Sequence, residues 1–103
     1  MNLLHAIAIA AASLGLAGQL GDAVTSYMCF SKGATEGNTF LGMNRWPHWA
    51  LYVFKFLVGA VPLAFVLSGN GYAADFGLAV GISAFIVGFE QTHANLAMYK
   101  GLK

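Results

Sequence analysis

The stretch Gly15-Leu16-Ala17-Gly18-Gln19-Leu20-Gly21-Asp22-Ala23-Val24-Thr25-Ser26-Tyr27-Met28-Cys29 decides how the chain is read, because an acid interrupts an apolar helical segment on its smallest and most polar face. At about 100° per residue, Ala8, Ala11, Gly15, Gly18, Gln19, Thr25, Ser26 and Cys29 all fall within about 60° of Asp22. Ile9, Leu16, Leu20, Val24 and Tyr27 occupy the opposite side. A soluble protein would turn the polar stripe to water and the bulky residues inward. The arrangement here assigns the bulky side to lipid and the acid to protein.

Composition points the same way. Hydrophobic residues make up 58% of the chain and charged residues 9%, against about 25% charged in an ordinary soluble domain. A chain of 103 residues has too little core volume to hide that much apolar surface from water. Charge-free stretches run from Met1 to Gly21 and from Phe56 to Ala74, close to the about 20 residues that a span requires. A shorter one, Phe76 to Phe89, continues through Glu90 to Tyr99. The expected fold is therefore all-α, a single integral membrane domain over residues 1–103. Its three transmembrane helices lie near Leu3 to Phe30, His48 to Leu67 and Asp75 to Tyr99.

Loop chemistry separates these segments. Ser31 to Pro47 is rich in Gly, Asn and basic residues, Pro47 sits where a helix would start, and Ser68-Gly69-Asn70-Gly71 reads as a tight turn. Trp46, Trp49, Tyr52 and Tyr99 lie near the expected helix ends, as in an interfacial aromatic belt. Lys32 and Arg45 in the first loop, with Lys100 and Lys103 in the tail, put both on the cytoplasmic side of the inner (plasma) membrane, with the amino terminus outside. Leu3 to Gly18 also has the composition of a secretory leader, but no basic residues precede it, which favours a retained span.

Depth along the helices brings the charges together. At about 1.5 Å per residue, Asp22 lies ~12 Å before the end of the first helix, Lys55 ~10 Å after the start of the second and Glu90 ~14 Å before the end of the third. Matched depth predicts an intramembrane ion-pair cluster of Asp22, Lys55 and Glu90, since an unpaired charge there costs several kcal/mol. Such a cluster either sets helix register or carries transport chemistry. Gly15 and Gly18 on the first helix, and Gly77, Gly81 and Gly88 on the third, are the expected close-packing positions. The third helix has two small-residue faces, the glycine face and one with Ala79, Ser83, His93 and Ala97, so one can serve the monomer and the other a second chain.

No catalytic residues, metal site or cofactor are expected. His5, His48 and His93 are scattered, leaving a two-histidine haem or metal site as a minor alternative for the last two. Cys29 is the one cysteine and reads as a small packing residue. A formal charge of +1 gives no case for nucleic-acid binding.

The run Asp22-Ala23-Val24-Thr25-Ser26, then Gly33-Ala34-Thr35-Glu36-Gly37-Asn38, then Lys55 and Asn95, resembles a family of short prokaryotic multi-span membrane proteins of unknown function, number 5658 in the domain-of-unknown-function series. Thr39 stands where that family usually has Pro. The resemblance implies that Asp22, Thr25, Glu36, Asn38, Lys55 and Asn95 belong to one site, and it implies no activity. Glu36 and Asn38 form a loop motif whose oxygens could cap helix ends or reach Lys55.

Two function classes stay open. One is a non-enzymatic membrane subunit or self-associating bundle whose partners are the bilayer and either its own copies or a larger membrane complex. The other is a pore-forming or ion-conducting protein such as a holin. The charged tail typical of holins is reduced here to Lys100 and Lys103, which favours the first.

Overall fold

The computed structural model describes residues 3–35, 40–68 and 72–102. These form three long helices, α1 (Leu3–Ser31), α2 (His48–Leu67) and α3 (Ala73–Gly101), with a short 3-10 segment (Phe40–Arg45) before α2. There is no strand among the described residues. The bundle measures 50 × 24 × 16 Å, the shape expected when 29-residue helices of about 1.5 Å rise per residue lie side by side. Two of the helices, Leu3–Ser31 and His48–Leu67, are long and apolar enough to cross a membrane.

Local signals account for the boundaries. α1 stops where Gly33 takes a left-handed conformation at φ 94°. The Gly33 amide donates to the Phe30 carbonyl and the Ala34 amide reaches back to Cys29, the paired bonds of a Schellman stop. Pro47 is the residue before α2 rather than its first turn, and its carbonyl accepts from Ala50 and Leu51. At the far end Ser68 closes α2 through its amide to Ala64 and its hydroxyl to the Phe65 carbonyl. The rest of the turn expected at Ser68 to Gly71 lies outside the described residues. α3 extends two residues beyond expectation at each end, with Asp75 in its first turn and Lys100 in its last, both favourable to the helix dipole.

Small residues hold α1 against α3. A methyl group added at Gly81 would come within 2.7 Å of the Ala12 amide nitrogen, and one at Gly88 would overlap the Gly18 backbone. Gly15 meets Gly81 and Gly18 meets Phe85 along the same seam, while Gly77 packs on Val66 of α2. The glycine face of α3 is thus consumed within the chain. Ala79 and Ser83 remain exposed. The sequence set Ile9 and Leu16 with the outward side of α1, but both are half-buried: Ile9 joins the Ala8–Ala12–Val66 core, and Leu16 lies under Gly59 of α2. α1 has neighbours on two sides, so its inward arc is wider than one polar stripe. Leu20, Val24 and Tyr27 are exposed.

Candidate functional site

Among the described residues five that are polar or charged are buried, Gln19, Asp22, Thr25 and Ser26 of α1 and Lys55 of α2. They line up because positions 19, 22, 26 and 29 follow the three- and four-residue steps of one helix face. Lys55 enters from the buried stripe of α2 that also holds Leu51, Gly59, Pro62 and Val66.

Asp22 is the hub. Its Oδ1 accepts from Lys55 Nζ at 3.4 Å, from the Ser26 hydroxyl at 3.2 Å and from Asn95 Nδ2 at 3.0 Å. Lys55 Nζ also donates to Ser26 Oγ at 2.9 Å, and Asn95 Nδ2 lies 3.1 Å from the same oxygen and 3.0 Å from Thr25 Oγ1. Ser26 Oγ accepts from Lys55 Nζ and shares the two hydrogens of Asn95 Nδ2 with Asp22 and Thr25, while its own proton goes to the carboxylate. Thr25 returns its proton to the Gly21 carbonyl at 2.8 Å. Two further bonds attach α1 to α3: Gln19 Nε2 donates to the Ala84 carbonyl at 2.9 Å, and Cys29 Sγ to the Asn95 carbonyl at 3.2 Å.

Of the residues that the sequence assembled into the cluster, Asp22, Thr25, Lys55 and Asn95 are in hydrogen-bonded contact. Glu90 is a correction: it is exposed, and it makes none of the cluster's contacts among the described residues. Depth matching fixes height along a helix but not direction around it. Five residues separate Glu90 from Asn95, so the two point about 140° apart at about 100° per residue, and Asn95 takes the inward direction. Glu36 and Asn38 lie outside the described residues. Ser26, on the same face of α1, joins the cluster without carrying a charge; its spacing of four from Asp22 is the signal that marks it. The Gln19 clasp had no such signal, because its partner is a backbone carbonyl on α3.

A cleft of about 730 Å³ opens beside this cluster, between α2 and α3 and over α1. Gln19, Asp22 and Ser26 contribute its floor, Phe54 and Val58 one wall, Val80 and Val87 the other, and Met43 closes the loop end. The histidines stand elsewhere: His48 stacks on Phe30 with ring centroids 4.0 Å apart, and His93 is exposed. Around the first-loop end, Tyr27, Phe30 and Tyr52 pack edge to face or tilted, and Trp46 meets Phe54 at 5.5 Å. Lys32 sits 4.0 Å from the centre of the Tyr99 ring. The chain matches no protein-family model, no curated protein and no solved structure.

Proposed function

We propose that the chain is a small non-enzymatic integral membrane protein with three spans, working as a subunit or self-associating bundle held in register by the polar cluster. The observation that carries this reading is the inverted partition of side chains. An ion pair with its hydroxyl and amide partners lies inside, whereas Val24, Tyr27, Phe65, Ile86 and Phe89 are about half exposed or more. Water penalises that surface and hydrocarbon does not. The buried pair is compatible with lipid because each of its members is hydrogen-bonded.

In this reading the first loop and the carboxyl terminus are cytoplasmic. With the glycine face of α3 already occupied by α1 and α2, association with another chain uses the exposed face that carries Ala79, Ser83 and His93. Single cysteines placed by Asn70→Cys and Lys103→Cys in a Cys29→Ala background should label from opposite sides of the membrane. Labelling from one side overturns the three-span topology. A particle mass above that of a monomer in mild detergent is expected, and a lone monomer removes the assembly part of the proposal. Single-channel conductance in planar bilayers would move the chain to the pore-forming class.

A further inference from the structure

The cleft has the volume of a ligand site, about 730 Å³ within the roughly 300–1,000 Å³ range of small-molecule pockets. Its floor carries hydrogen-bonding capacity that the fold does not use. All three donors to the Asp22 carboxylate reach Oδ1, and the Gln19 amide is held through Nε2. Among the described residues, none donates to Asp22 Oδ2 or to Gln19 Oε1, although the two residues are only 7% and 5% exposed. No fully enclosed side-chain nitrogen or oxygen lacks a partner among the described residues, so these two oxygens face the open volume instead of being sealed in protein. Asp22 and Gln19 are three residues apart and present their acceptors from one face of α1.

Charge narrows the ligand further. Among the described residues, Asp22 and Lys55 are the acid and the base of the lining, and they are paired with each other. A second full charge would enter a low-dielectric site with no described counter-ion left for it, which is unfavourable. Two open acceptors call for a donor. Phe54, Val58, Val80 and Val87 call for an apolar body. We propose that the cleft binds a neutral amphiphile of the membrane whose head group donates hydrogen bonds: a primary amide on a hydrocarbon chain, with its two N–H groups on Asp22 Oδ2 and Gln19 Oε1, or an alcohol, whose single O–H serves one of these oxygens at a time. The source of the ligand rests on the membrane reading above; the chemistry of the site does not.

The test uses the full chain in detergent micelles, so its outcome is independent of bilayer insertion, which carbonate extraction of membranes reports separately. Photoreactive decanol, its methyl ether, decylammonium and decanoate, each with a diazirine on the chain, are crosslinked and mapped by mass spectrometry. The expected result is labelling of Phe54, Val58 and Val87 by the alcohol, about tenfold above the ether, the equivalent of one net hydrogen bond. Val80→Phe, which fills the cleft without touching the floor, should abolish that labelling while the helical circular dichroism is retained. Gln19→Met should lower the alcohol's preference over the ether. Equal labelling by alcohol and ether, stronger labelling by either charged probe, no effect of Val80→Phe, or label spread evenly over Leu20, Val24 and Phe89 would each overturn the proposal.

Discussion

The two ends of the bundle solve the same packing problem in different ways. Towards the second loop, Ala8, Ala12 and Val66 are fully buried, Gly77 lets Val66 seat on α3, and Phe65 meets Phe76 across α2 and α3 at 5.1 Å. Cohesion there is contact between small and apolar groups. Towards the first loop a cleft separates α2 from α3, and the Asp22 hub ties Lys55 of α2 and Asn95 of α3 to α1. Close packing is short-ranged and disappears with a gap of an ångström or so, whereas charge-assisted hydrogen bonds on long side chains span one. The polar cluster therefore holds the end that contact alone does not, and so leaves room for an occupant.

Breaking the polar end should have the largest effect. Asp22→Asn or Lys55→Met leaves a buried, partly unsatisfied partner, and each should destabilise by about 3–5 kcal/mol. The double variant should recover part of that loss. Thermal unfolding in detergent measures all three, and strictly additive losses would show that the two side chains are not coupled.

Breaking the packed seam comes next. Gly81→Leu forces a side chain into the Ala11–Ala12 backbone and should destabilise by about 1–3 kcal/mol or more. Because this glycine meets α1 of its own chain, the loss should appear in monomer stability. A change confined to particle mass at unchanged melting temperature would mean that the seam lies between chains.

Asn95→Leu sharpens the division of labour. It removes the donor shared by Asp22, Thr25 and Ser26, and a loss of about 1–2 kcal/mol is expected. Hydrogen exchange should rise along the carboxyl-terminal half of α3 and stay unchanged near Gly77. Uniform loosening of the whole helix would contradict the two-ended description.

Glu90→Gln is the smallest. An exposed side chain outside the cluster should shift stability by no more than about 0.5 kcal/mol. A loss as large as that of Lys55→Met would return Glu90 to the cluster.

Local signals along the chain are enough to set the helices and their inward stripes. The charge-free stretches, Pro47 and the glycine-rich loop set α1 and α2 to within a residue, and the 3.6-residue period placed Asp22, Thr25 and Lys55 on inward faces. Such signals are local, since period and depth belong to one helix at a time. What they lack is the rotation and tilt of one helix against another, which only the packed structure decides. That rotation turned Asn95 inward and Glu90 outward, tucked Ile9 and Leu16 under their neighbours, committed the α3 glycines to α1 and α2, and opened the cleft onto two unused oxygens. The α1–α3 seam follows from which small residues let two backbones meet, a relation between residues about 70 positions apart that no periodicity within either helix carries.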